Sequence, residues 1–268
     1  MGVRAPAVRG TFYPGDREEL EALLAELMPV AAKPVIAIGV VAPHAGYLYS
    51  GGVAGAVFGR VSVPDAALVL GPNHTGIGPA LSVYPGGAWK TPLGDVPIHE
   101  GLTRQVLEHV VAAVAEESAH RREHSAEVEL NFLLRRNANL KAACLAVGSM
   151  PLREAQKAGD GLAAAVRAAG EPVLLVASSD MSHYLPDAEA RAKDRRALEA
   201  LLALDEAELW KRVNEEDITM CGYIPACIAV RAAKALGATR AELVAYGTSG
   251  DVSGDFENVV GYAGVILN

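Results

Sequence analysis

Val35-Ile36-Ala37-Ile38-Gly39-Val40-Val41-Ala42-Pro43-His44-Ala45-Gly46-Tyr47 is the stretch from which the fold can be read. A run of apolar, mostly β-branched residues with no polar alternation suits a strand covered on both faces, as in the parallel sheets of α/β proteins. It predicts a strand over residues 34–42. The run stops at Pro43, and a histidine follows at the lip of the sheet. One such histidine means little, so the question is whether other strands end in the same way.

Several do. Ala66-Ala67-Leu68-Val69-Leu70 reads as a second buried strand and ends Gly71-Pro72-Asn73-His74. Residues 140–147 form a third, ending at Gly148-Ser149-Met150. Residues 172–177 form a fourth, which runs into Ser178-Ser179-Asp180-Met181-Ser182-His183-Tyr184. Residues 242–246 form a fifth, ending Gly247-Thr248-Ser249-Gly250-Asp251, and residues 259–267 a terminal strand. Between them lie helical patterns over 17–28, 53–61, 100–114, 125–136, 154–169, 188–204, 206–213 and 225–236. The first has leucines at 20, 23, 24 and 27 and Asp16 as its N-cap. The second is entered through Ser50-Gly51-Gly52. Residues 81–97 read as a hairpin or long loop, and residues 1–15 as an ordered arm in which Phe12, Tyr13 and Pro14 pack.

This alternation predicts an α/β protein, a single-domain α/β/α sandwich around a mixed, mostly parallel sheet spanning residues 1–268. Residue composition fits that plan. The chain is 51% hydrophobic but 5% aromatic, so its core must come from Ala, Val and Leu. The net charge of -8 argues against nucleic acid and anionic membranes as partners and is ordinary for a cytoplasmic protein. No apolar run is long enough for a membrane span, and the N-terminus lacks the apolar core of a signal peptide. Gly2 suggests a myristoylation start, but Pro6 stands where that motif requires serine or threonine. Cys144, Cys221 and Cys227 are odd in number and lack C-x-x-C spacing, which disfavours disulfides and structural zinc.

Ligands of open α/β sheets bind beyond the carboxyl ends of the strands. His44, His74, Asp180 with His183, and Asp251 are all expected there, delivered by four separate strands. Singly, each is a hydrogen-bonded strand-end group; together they point to one site. Two histidines and a carboxylate form the facial set suited to non-haem Fe(II), with copper or zinc as alternatives. His44 and His74 are the expected metal pair and Asp251 the third ligand, with Asp255 its competitor. His124, Asp180 and His183 are then the catalytic groups that orient ligands and move protons. His99, His109 and His120 are expected in solvent. Cys221 reads as a buried thiol, although a helix start can lower a thiol pKa. Ser178, Ser179 and Ser249 lack a G-x-S-x-G elbow, and Ser50-Gly51-Gly52 fits neither phosphate-loop pattern.

These residues also carry a resemblance. Arg4-Ala5-Pro6-Ala7-Val8, Gly10-Thr11-Phe12-Tyr13-Pro14, Pro43-His44-Ala45-Gly46-Tyr47 with Ser50-Gly51, Gly71-Pro72-Asn73-His74, Glu123-His124-Ser125, Ser178 through Tyr184, Cys221-Gly222 and Tyr246 through Asp251 occur in that order. Together they resemble the Memo family, called AmmeMemoRadiSam system protein B in prokaryotes. That family is similar in fold to the LigB-type (class III) extradiol dioxygenases, which hold Fe(II) on two histidines and a glutamate and cleave catechols with dioxygen. The resemblance implies metal on His44 and His74, with His124, Asp180 and His183 lining the same pocket. Animal Memo proteins carry a cysteine in the segment equivalent to 247–252, where this chain has none, and Asp251 is the expected substitute. The resemblance also implies AMMECR-type and radical SAM proteins as partners. Two functions are expected to compete. One is an oxidoreductase on a small aromatic or otherwise oxidisable substrate; the other is a scaffold binding metal or peptide without turnover.

Overall fold

A computed structural model describes residues 2–268; Met1, the first residue of the expected domain, lies outside the described residues. The elements in chain order are β1 (Val3–Arg4), α1 (Arg17–Leu27), β2 (Gly39–Ala42), α2 (Tyr47–Arg60), β3 (Ala66–Pro72), β4 (Leu81–Val83), β5 (Ala88–Thr91), β6 (Gly94–Pro97), α3 (Glu100–His109) and β7 (Val114–Ala115). They continue with α4 (Ser125–Arg136), β8 (Lys141–Val147), α5 (Leu152–Ala169), β9 (Val173–Ser178), β10 (His183–Leu185), α6 (Asp187–Leu202), α7 (Glu206–Glu215), α8 (Tyr223–Leu236), β11 (Ala241–Thr248), α9 (Gly250–Ser253) and β12 (Val259–Leu267).

The main sheet runs β10-β12-β2-β9-β3-β8-β4-β7, with β11 on β12. Its centre, β2-β9-β3-β8, is parallel, and the flanks are antiparallel, at β12 on β2 and at β4 on β8. The centre is apolar throughout because both of its faces are covered. Val41, Leu68, Leu70, Leu175 and Ala177 pack with residues of α3, α5, α6, α7 and α8. Their alternate neighbours Val40, Ala67, Val69, Leu174 and Val176 pack with α1, α2 and α4. The molecule is a single α/β domain with a mixed sheet between two helical layers.

Two departures from the expected elements have simple causes. The first strand begins at Gly39 rather than residue 34. Gly39 pairs with Leu175 and Leu267, so the segment before it soon passes the start of β9 and the end of the chain, and Ile36 is 89% exposed. The glycine-rich second helix starts at Tyr47 and contains Gly51 and Gly52. Its glycines are contact points: a Cβ at Gly55 would lie 2.1 Å from the Leu27 carbonyl oxygen, and one at Gly59 2.3 Å from that of Pro29. Close backbone approach outweighs the helix cost of glycine here.

A small second sheet, β1-β5-β6, carries the N-terminal arm. Arg4 is buried, with its guanidinium 4.0 Å from the centre of the Trp89 ring. It donates from Nε to the His120 carbonyl at 2.7 Å, pairs with Glu127 at 2.7 Å, and also donates to the Glu123 carbonyl. Glu127 in turn accepts the Ala7 and Val8 N–H groups and the Tyr13 hydroxyl. The expected packing of the arm is therefore realised around one buried ion pair. His120 is also buried, behind that pair against Tyr84 and Trp89, and is not in solvent as its polarity suggested. His109 is exposed, and His99 pairs with Glu171. No helix among the described residues is long and apolar enough to cross a membrane.

Candidate metal centre

β2, β9 and β3 are parallel neighbours, so their carboxyl ends open on the same edge. A cleft of about 460 Å³ lies there, lined among others by Phe12, His44, His74, His124, Asp180, His183 and Cys221. The structure thus brings together five of the six residues named from the sequence. The His44 and His74 ring centres are 5.2 Å apart, and His124 lies 5.5 Å from His44 and 4.8 Å from His74, stacked on the latter.

Each of three imidazoles is fixed through Nδ1. That of His44 lies 2.8 Å from Ser178 Oγ, that of His74 2.9 Å from Glu123 Oε1, and that of His183 2.9 Å from the Thr219 carbonyl oxygen. An acceptor at Nδ1 holds a proton there, so in the neutral ring Nε2 carries the lone pair. This is how metal-ligating histidines are oriented. Ser178 Oγ also lies 2.9 Å from the Ser125 carbonyl and 2.6 Å from Glu129 Oε1. Burial pushes Glu129 well above the usual carboxylate range, so it enters this chain as a neutral acid.

Glu123 organises the opposite wall. Its Oε2 accepts the His74 N–H at 2.6 Å, and its Oε1 accepts the N–H groups of His124 and Ser125 at 2.9 Å, which also caps α4. Burial works to raise its pKa, but the hydrogen bond and charge of His74 and the Ser125 N–H outweigh it and hold the carboxyl at about 2. Burial likewise works to lower the pKa of His74, and Glu123 reverses this and raises it. Burial pushes His44 and His124 down, so both are neutral near pH 7 and available as lone-pair donors or bases. Phe12 meets the His124 ring edge-on at 4.8 Å, so the anchored arm forms part of the cleft wall.

Asp180 is 5% exposed and fixes the first strand's end. Its Oδ1 accepts the backbone N–H groups of His44 at 2.9 Å and Ala45 at 3.3 Å. Burial pushes it up to about 6.

Asp251 is the residue that the structure does not bring in. It sits on α9, beyond β11, and β12 stands between β11 and β2. Its carboxylate pairs with Arg191 of α6 at 2.8 Å and accepts the Thr248 N–H at 2.8 Å. A carboxylate already neutralised by a guanidinium on the far side of a strand is not placed to ligate at His44. Cys221 occupies the position expected of Asp251, with its Sγ 3.4 Å from His44 Nε2. His44, His74 and Cys221 each offer a donor atom within 4.8 Å of the others. Glu123 and Cys221 were the roles missed in the sequence. The acidic residue next to a histidine at a helix start was the available signal for Glu123; for Cys221 there was only its place at the start of α8.

An α/β sheet with histidines converging beyond its parallel strands defines a class, that of α/β proteins with a metal-compatible cleft at the sheet edge. The chain belongs to the Memo family: the family model described as Memo-like protein matches residues 4–266. It is 43% identical to a MEMO1 family protein of Aquifex aeolicus over 269 residues, covering all of both chains. It is 37% identical to one from Methanopyrus kandleri, covering 98% of each, and 39% identical to one from Archaeoglobus fulgidus, covering 99% of each. Among solved structures, the crystal structure of uncharacterized protein JW3007 from Escherichia coli K12 is similar, with a TM-score of 0.59 and 14% identity. The match covers 86% of this chain and 99% of that one, and it is a likeness of fold.

Proposed function

We propose that the cleft binds a divalent transition metal through His44 and His74, with Cys221 as third donor. On this reading the protein is a metal-dependent oxidoreductase acting on a small oxidisable substrate, an aromatic diol being the model case. The observation that carries it is the set of imidazoles whose Nδ1 atoms are already engaged while their Nε2 atoms remain for a ligand. The two imidazoles suit Fe(II), copper or zinc alike.

A bound metal supplies Lewis acidity and, for iron or copper, redox chemistry with dioxygen. The chain's own residues do the rest. His124, neutral through burial, takes the proton of a substrate hydroxyl. Phe12 offers an apolar wall to a ring, and the cleft volume admits a single ring. Glu123 and Ser178 keep His74 and His44 in the tautomer that ligates.

One observation favours a second reading, a metal-binding protein without turnover. Thiolate in place of a carboxylate is a soft donor, which shifts preference from Fe(II) toward Cu(I) or Zn(II). Metal analysis of protein purified without oxygen, followed by oxygen uptake with a panel of catechols, separates the two. Bound iron with turnover supports the oxidoreductase; bound metal with no uptake on any substrate supports the second reading.

A further inference from the structure

We infer that the cleft holds a second divalent cation, on Asp180, His183 and Cys221, beside the first, with the Cys221 sulfur shared between them. The inference rests on the reading of His44 and His74 as ligands of the first ion.

Asp180, His183 and Cys221 each offer a donor atom, all within 4.8 Å of one another. Cys221 therefore belongs to two donor sets, this one and that of His44 and His74. The two sets have only Cys221 in common. Two nitrogens on the same ion lie at most about 4.2 Å apart, twice a metal–nitrogen bond of ~2.1 Å. Among the described residues, no set within 4.8 Å contains both His74 and His183.

The second set is as well prepared as the first. The Thr219 carbonyl accepts the His183 Nδ1 proton at 2.9 Å, and Thr219 Oγ1 accepts the His183 backbone N–H at 2.7 Å, which leaves Nε2 for a ligand. The strand that carries the ring, β10, shifts register between His183 and Leu185, with Tyr184 at φ 58°, a left-handed conformation that costs energy in a tyrosine. Oδ1 of Asp180 takes both backbone N–H groups, and among the described residues nothing bonds Oδ2. Asp180 and the sulfur, as thiolate, supply the negative charge that two neighbouring cations require. Uptake expels the thiol proton to solvent, so the sulfur changes from S–H to a metal–sulfur bond with no redox step.

Titration of the full-length apoprotein with Co(II) under nitrogen, followed by metal analysis after desalting, tests this. Wild type should retain two equivalents, with thiolate-to-cobalt charge-transfer absorption. His183→Ala should retain one and keep that absorption, and His74→Ala should also retain one. Cys221→Ser should lose the absorption, and circular dichroism should show each variant folded. Saturation of wild type at one equivalent, with His183→Ala unchanged, overturns the second cation and leaves the first standing. Two equivalents in both wild type and His183→Ala also overturn it, by placing the second ion elsewhere. No cobalt retained in wild type overturns both sites.

Discussion

The end of β2 and the end of β11 look alike in sequence, yet they have opposite fates. Each is a strand with a ligand-type side chain shortly after its end, His44 in the first case and Asp251 in the second. His44 is buried, its Nδ1 is engaged by a neutral hydroxyl, and its Nε2 faces Cys221. Asp251 is about half exposed and its charge is consumed by Arg191. Ligand capacity is thus set by the partner of the polar group as much as by its position. A partner on the far nitrogen of an imidazole orients the donor that remains, whereas a guanidinium bonded to both oxygens of a carboxylate occupies the donors themselves.

The largest effects should fall on the first of these ends. His44→Ala and His74→Ala should each lose the equivalent of metal bound at this end, leaving at most the one held by Asp180, His183 and Cys221, measured by mass spectrometry after anaerobic loading, while Asp251→Ala retains the wild-type amount. Equal losses in all three would erase the distinction between the two strand ends.

His120 is a third case, a buried histidine with no part in the cleft. Burial, and then the Arg4 charge, push its pKa from 6.5 down to about 4. The folded state therefore refuses a proton that the unfolded chain accepts. The resulting stability is present above pH ~6.5 and is lost as pH falls toward about 4, with a total of roughly 3 kcal/mol. Denaturant titrations of wild type and His120→Phe across that window should show the wild-type slope flattened in the variant. Parallel slopes would mean that His120 titrates freely.

A smaller effect separates orientation from ligation. Glu123→Gln keeps the shape but weakens the grip on His74 and should lower metal affinity about 10- to 100-fold, as measured by competition with a chelator. Unchanged affinity would show that Glu123 serves only to cap α4. The smallest effect belongs to Asp251→Ala, whose exposed ion pair should cost about 1 kcal/mol or less in chemical denaturation. A loss of several kcal/mol would give the β11 end a structural weight that its exposure does not suggest.

Much of the fold was legible because its strands are apolar on both faces, and β12 was read over the same residues, 259–267, as the structure shows. The shared edge was legible too, since His44, His74, Asp180 and His183 all follow parallel or adjoining strands. What a one-dimensional reading could not see was lateral order. Nothing in Ser249-Gly250-Asp251 tells that β12 intervenes, or that Arg191, sixty residues earlier in the chain, will claim the carboxylate. Cys221 was illegible as a donor because its proximity to His44 depends on how α8 docks against the end of β9. There Gly222 packs so closely that an added Cβ would lie 2.2 Å from the Ser178 carbonyl oxygen. His120 was misread because its burial is created by Arg4 and Trp89, which reach it from the other sheet.

X-ray absorption at the zinc edge of Zn(II)-loaded protein tests most directly whether the metal sits at His44, His74 and Cys221. The expected result is a shell of nitrogen with sulfur at about 2.3 Å, the sulfur vanishing in Cys221→Ser and persisting in Asp251→Ala. A shell of oxygen and nitrogen alone, or one altered by Asp251→Ala, would contradict the assignment.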